Sequence, residues 1–218
     1  MKQKQKIIEF RNIYFKFKNK NIFKNFNFII NSGEKIIIFG KSGIGKSTLL
    51  NLLLGFKEPE FGAIFFNNEK ITSQNIWNIR KQIAYVDQDI AIGEGNVQEI
   101  IFEYFSFTAN YKKKFTPSEL IALLKKFDLE PVILTKNISQ LSGGEKQRLA
   151  LVVALLLKRP VMVFDEITSS LDSVLKTIVI NELLKNHKST LLIITHDKEW
   201  QYQKDVRIFD FKEKKWKQ

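Results

Sequence analysis

The chain contains no cysteine. Disulfides, thiolate metal sites and thiol nucleophiles are therefore excluded, and the absence fits a cytosolic protein. No apolar run approaches the roughly 18 residues that cross a bilayer. The longest, Leu149–Leu157 between Arg148 and Lys158, reads as a buried helix. Met1–Lys6 are polar and basic with no apolar stretch behind them, so no signal peptide is expected. There is no repeat at a period of about 20–50 residues and no low-complexity linker. Acidic residues are outnumbered: 23 Asp and Glu face 35 Lys and Arg, a net charge of +12. That balance suits an anionic membrane surface or nucleic acid, and equally a lysine-rich solvated face. Lys112–Lys114 reads as a solvated loop.

What is present is a chain of 218 residues, 44% hydrophobic and 27% charged, long enough for one domain with a real core. Its first quarter alternates. Ile7–Phe10, Ile13–Phe17 and Phe26–Ile30 read as short strands separated by Asn/Lys turns. Ile36–Phe39, Ile83–Val86, Val161–Phe164 and Leu191–Thr195 are continuous apolar runs, as in parallel strands covered on both faces. Helical patterns lie between them at Lys46–Leu54, Ser118–Phe127, Glu145–Leu157 and Leu175–Asn186. Thr116-Pro117 reads as a helix start, and Val206–Phe211 with Trp216 as a final hairpin. The expected fold is α/β: a mostly parallel sheet, an antiparallel β part at the N-terminus and a helical lobe inserted at about 89–160.

Gly40-Lys41-Ser42-Gly43-Ile44-Gly45-Lys46-Ser47-Thr48 follows an apolar run and opens a helical one. This is G-x-x-x-x-G-K-[ST] in the context that gives it meaning. Gly40, Ser42, Gly43 and Gly45 let the backbone curl so that N–H groups converge, and the helix aims its positive end at the same place. Lys46 would reach the β- and γ-phosphates of a nucleotide, Ser47 would bind Mg²⁺, and Thr48 would help hold the phosphates. Val161–Phe164 runs into Asp165-Glu166. Asp165 suits the metal, and Glu166, pointing elsewhere, suits the attacking water as general base. Leu141-Ser142-Gly143-Gly144-Glu145 joins an S-x-x-E capping box to two bare glycines before a long apolar helix. That is a second anion site. A chain with one phosphate loop has little use for it unless it serves a neighbouring molecule.

Leu141–Glu145 followed by Gln147-Arg148, between a phosphate loop and an Asp-Glu strand, resembles the signature of ATP-binding cassette (ABC) proteins, over nearly the whole chain. The resemblance implies a single ABC ATPase domain, a P-loop NTPase core spanning 1–218. It implies that Gln88 joins Ser47 at the metal and senses the γ-phosphate, and that His196 contacts that phosphate. Ser169-Ser170-Leu171-Asp172 is similar to the family's D-loop, with Ser170 in the place of the usual alanine and Asp172 communicating between sites. Phe17 stands where the family has a tyrosine that stacks on adenine; a core position is the alternative. His187 reads as a surface helix residue.

The same resemblance implies an Mg-dependent ATPase in which two chains sandwich two ATP molecules. Ser142, Gly143 and Gly144 of one would cover the γ-phosphate held by the other. The expected partners are a second cassette of the same kind and a separate integral-membrane permease, with the chain peripheral on the cytoplasmic face of the membrane. The permease would dock near Asp89–Phe105, with Gly95, Val97 and Phe102; a buried lobe interior is the other reading. Beginning at Met1 and ending soon after the last hairpin suggests a stand-alone subunit; a cassette cut from a longer exporter polypeptide is the alternative. Ile133–Ile138, Asp165–Ser169 and Thr195–Lys198 are similar to the ATPase subunit of bacterial iron-export ABC systems. The alternative is a non-transport ABC ATPase, either regulatory at the cell envelope or working on nucleic acid or ribosomes. DNA-repair relatives insert a long coiled coil and translation relatives carry two cassettes; neither pattern occurs here, so nucleic acid is not expected as a partner.

Overall fold

The computed structural model of the chain describes residues 5–185 and 189–217. Two sheets form the frame. The first is antiparallel, in the order β2-β1-β4-β5, from β1 (Lys6–Phe17), β2 (Lys20–Asn31), β4 (Phe61–Phe66) and β5 (Glu69–Lys70). The second runs β10-β9-β3-β8-β7-β6, from β3 (Lys35–Phe39), β6 (Ile83–Val86), β7 (Val161–Asp165), β8 (Thr190–Thr195), β9 (Arg207–Asp210) and β10 (Lys215–Trp216). It is parallel from β9 through β6, and only β10 runs against its neighbour.

The central strands carry residues apolar on both faces because both faces are covered. Ile36, Ile38, Val161, Val163, Leu192 and Ile194 point into a core shared with the antiparallel sheet and α1 (Lys46–Leu53). Ile37, Met162, Phe164, Leu191 and Ile193 alternate with them and point into a second core. That core is filled by α3 (Val97–Ser106), α4 (Pro117–Lys126), α5 (Gly143–Leu156) and α6 (Ser173–Lys185). Each buried Ile or Leu contributes about 1.5–3 kcal/mol over an exposed one. Several of the 19 phenylalanines find their use here. Phe10, Phe23, Phe26, Phe28, Phe209 and Phe211 meet largely edge to face at 4.7–6.5 Å, binding the N-terminal hairpin to the last strands.

Local chemistry sets the boundaries. Thr116 caps α4 in a reciprocal box with Glu119, and Pro117 opens it. Ser142 and Glu145 do the same for α5, as their spacing predicts. The expected break between Ile7–Phe10 and Ile13–Phe17 is instead a bulge within one continuous strand. Asn12 takes φ 51°, the register shifts there, and pairing resumes. Gly62 on β4 makes room for that bulge, since a Cβ there would lie 2.4 Å from the Asn12 carbonyl oxygen. The single turn of this hairpin is Lys18-Asn19, both at positive φ, as a two-residue hairpin loop requires. β4, α2 (Ile76–Arg80) and α3 were not separated by the sequence pattern. The expected helix end at Asn186, and His187, lie outside the described residues. No helix among the described residues is long and apolar enough to cross a membrane.

Candidate functional site

The register of the parallel strands brings three chain segments to one edge. Phe39 pairs with Thr195, and Asp165 with Ile194. Gly40, His196 and Glu166 therefore emerge side by side at the C-terminal ends of β3, β8 and β7, where an open α/β sheet binds its ligands.

From Gly40 the chain curls back. Gly43 and Gly45 take φ 77° and 104°, and a Cβ at Gly45 would sit 2.5 Å from Ile22 Cγ2, so backbone and packing both demand glycine there. α1 has no side-chain cap and no acidic residue in its first turn. No side chain among the described residues satisfies its first N–H groups. Lys46 folds back over this loop. Its Nζ donates to the Gly40 and Lys41 carbonyls at 2.7 and 3.0 Å and stands 3.7 Å from Glu166 Oε1. Ser42 is exposed and Thr48 half-buried in the first turn of α1.

Ser47 Oγ donates to Asp165 Oδ2 at 2.8 Å. Burial raises the Asp165 pKa above its ordinary value; the Ser47 bond opposes this, and the nearby charges of Glu166 and Asp87 add to it. One hydroxyl beside one buried, charge-crowded carboxylate fits Mg²⁺, which keeps several waters and takes one or two carboxylates together with phosphate oxygens. Gln88 lies just past β6, exposed, with its backbone N–H bonded to Asp87 Oδ1.

Glu166 is 4% exposed and sits at φ 54°, a conformation that costs energy in a non-glycine residue. Its Oε2 is 2.8 Å from His196 Nδ1. Its Oε1 is buried, faces Lys46 and has no hydrogen-bond partner among the described residues. His196 itself is exposed, but its neighbour Asp197 is buried and fixed. Burial acts to raise the Asp197 pKa, and hydrogen bonds from Thr168 and Lys176 overcome it, holding the carboxyl below its ordinary value. Trp200 Nε1 closes this network by donating to Thr168 Oγ1 at 3.1 Å.

Ser142 caps α5 while Gly143 and Gly144 occupy its first turn. A Cβ at either glycine would meet nothing within 4 Å. Residues 23–169 match the family described as ABC transporter.

The chain belongs to the ABC transporter family.

Among curated relatives, this ABC cassette is 32% identical over 203 residues to "Probable iron export ATP-binding protein FetA" of Escherichia coli (strain K12), covering 91% of this chain and 88% of FetA. It is 34% identical over 201 residues to "ATP-dependent permease MDL1" of Candida albicans, covering 87% of this chain but only 29% of MDL1. The cassette thus spans nearly all of some relatives and under a third of others. The dimeric structure of MJ0796, a bacterial ABC transporter cassette, superposes with a TM-score of 0.78 at 26% identity, covering 94% of both chains. MJ0796 has also been solved bound to ADP and phosphate in a post-hydrolysis state. The α/β P-loop NTPase fold expected from the phosphate loop is therefore the fold of this ABC ATPase.

Several positions gain meaning only from the coordinates. Phe17 is 48% exposed at the end of β1, so the core alternative is overturned. The Lys57 ammonium lies 4.3 Å from its ring centroid. Asp172 caps α6, accepting from the backbone N–H groups of Val174 and Leu175 at 2.9 Å. Val97 is fully buried in the helical core and cannot serve a docking surface, whereas Phe102 is exposed. A separate groove of about 300 Å³ follows Gln88, lined by Tyr85, Ile90, Ile92, Tyr104, Val153 and Leu157. Sequence reasoning missed Gln147 as more than a signature letter, and missed the Thr168–Asp197–Trp200 network. Polar residues inside an apolar helix and around Asp165-Glu166 were the available signal.

Proposed function

We propose that this ABC cassette is the ATP-hydrolysing subunit of a membrane transporter, working as a pair of identical chains around two nucleotides. The observation that carries the reading is the convergence of Lys46, Ser47, Asp165, Glu166 and His196 at one sheet edge. Gly143 and Gly144 support the pairing. Glycine weakens a helix, and nothing among the described residues calls for it at these two positions. A neighbouring chain's γ-phosphate, approaching the N-terminus of α5, would.

ATP would exchange the Gly40 and Lys41 carbonyls for its β- and γ-phosphates as partners of Lys46. Gly40, Ser42, Gly43, Gly45 and Thr48 line the loop that wraps those phosphates, and the exposed Phe17 ring offers a face to adenine. Ser47, Asp165 and Gln88 would hold Mg²⁺, which neutralises phosphate charge when bound. Glu166 takes a proton from the attacking water as its oxygen bonds to the γ-phosphorus and the bond to ADP breaks. His196 holds the γ-phosphate, and the partner subunit's Ser142, Gly143 and Gly144 cover it. Catalysis here is mainly positioning and charge neutralisation. Loss of the γ-phosphate removes the bridge between chains, and Asp172 relays that loss between the sites.

A separate permease is the partner, docked at the groove lined by Ile90, Ile92 and Tyr104, with the cassette peripheral on the cytoplasmic face of the membrane. The likeness to FetA over most of both chains supports iron export as the cargo. The test is the Glu166→Gln variant with Mg-ATP. It is expected to run at twice the 25.5 kDa of one chain and to co-purify one multi-spanning membrane protein. A monomer would overturn the pairing. Ribosomes, DNA or an envelope complex in place of a permease would overturn transport.

A further inference from the structure

Gln147 is 5% exposed, a buried polar side chain in the polar first half of α5, where Lys146 and Arg148 flank it. Its Nε2 donates to the Glu166 carbonyl oxygen at 3.1 Å, and its Oε1 accepts from the Ser170 hydroxyl. The Glu166 carbonyl also receives the Ser169 N–H at 3.1 Å and the Ser169 hydroxyl at 2.9 Å. One buried amide therefore ties α5, just beyond its Ser142 cap, to the backbone of Glu166 and to the loop that ends in Asp172. The tie matters because Glu166 sits in a left-handed conformation that its surroundings must impose. It runs from the helix whose N-terminus faces outward to the residue that faces the chain's own phosphate loop. An alanine at position 170 would leave the Gln147 oxygen unpaired and this end of the tie open.

We propose that Ser170 and Gln147 are positioning residues that couple each chain's signature helix to its own Glu166, so that reading the partner's γ-phosphate sets the hydrolytic carboxylate. This rests on the paired-chain reading above. Neither side chain touches the reacting atoms; both act through Glu166. The expected behaviour separates them from mere supports of the fold. Ser170→Ala removes a single oxygen and leaves the Gln147 oxygen unpaired, so melting drops modestly while the chain stays folded. Its kcat for ATP falls about two- to tenfold, the size of one net hydrogen bond. KM for ATP stays unchanged, because the phosphate loop is untouched, and the Hill coefficient of hydrolysis drops towards one. Ser170→Thr, which keeps the hydroxyl, restores both.

Steady-state ATPase of the full chain and of these two variants tests the link, run beside the Mg-ATP dimerisation of Glu166→Gln. If Glu166→Gln dimerises but Ser170→Ala keeps the original kcat and Hill coefficient, the coupling is overturned and the pairing stands. If Glu166→Gln stays monomeric, the pairing fails and with it the coupling between chains. A kcat loss in Ser170→Ala that Ser170→Thr does not restore assigns the effect to packing and also overturns the link.

Discussion

Lys46 has two carbonyl acceptors and a nearby carboxylate, and on the proposed reading nucleotide phosphates would replace the carbonyls. Lys46→Ala should lower kcat/KM for ATP by about a hundredfold or more, the cost of losing one preorganised charge contact, in a phosphate-release assay. Asp165 gives a prediction of opposite sign for stability. Its folded-state pKa is raised above the ordinary 3.8, so the folded chain binds that proton more tightly than the unfolded one. Stability is therefore lost as pH rises from 3.8 through the raised value. Asp165→Asn removes the loss. Without nucleotide its melting temperature should rise by about 2–4 °C near neutral pH, with no gain below the ordinary carboxylate range, while stabilisation by Mg-ATP disappears. Calorimetry across pH reads both. The identities and spacing of Lys46, Ser47, Asp165 and Glu166 were legible in the sequence because the first two open a helix behind a glycine-rich loop and the last two end an apolar strand. That His196 Nδ1 and Lys46 Nζ both address Glu166 was not, since 120 positions separate Lys46 from Glu166 and only strand register joins them.

At the scale of elements, α5 carries the sharpest test. Gly144→Ala should leave the helix slightly more stable, because alanine is the better helix former and its Cβ meets nothing. The variant should unfold at slightly higher urea, yet hydrolyse ATP far more slowly, because the added methyl stands where another chain's phosphate would come. Full activity in Gly144→Ala would remove the reason for glycine at that helix end. The long apolar helices and both-face-buried strands were readable within a residue or two, because burial on two faces leaves no polar interruption. The N-terminal strands were misdivided for a physical reason. Asparagine at positive φ marks a turn in sequence, and here Asn12 and Asn25 make bulges that keep the strands paired. The short α2 and the β4 strand carry too little periodicity to be separated from their loops.

For the whole molecule, the C-terminal hairpin closes the structure onto its beginning. Lys214, between β9 and β10, lays its Nζ over the rings of Phe211, Phe23 and Phe26 at 3.4, 4.6 and 5.5 Å, with no hydrogen-bond partner among the described residues. Burial pulls its pKa down from 10.5 to about 8, and the ring faces stabilise the charge that remains. Between pH 8 and 10.5 the unfolded chain holds a proton the folded one has lost, so stability rises with pH across that interval. Lys214→Met should be more stable than the parent at pH 7, with the advantage shrinking as pH climbs towards 10.5. A melting series in buffers spanning that range checks it.

Sequence alone determined the chemistry on offer: a phosphate loop, two acids after a strand, a capped glycine pair and the order in which they come. Those follow from local rules of turns, caps and helix ends, which act over a few residues. Tertiary structure decided which groups meet. Parallel register sets Gly40, Glu166 and His196 along one edge, and a buried amide from α5 reaches the Glu166 backbone. Packing of the two cores leaves Phe17 outside while Val97 goes in. These are long-range outcomes of burying both faces of one sheet, and no local pattern encodes them.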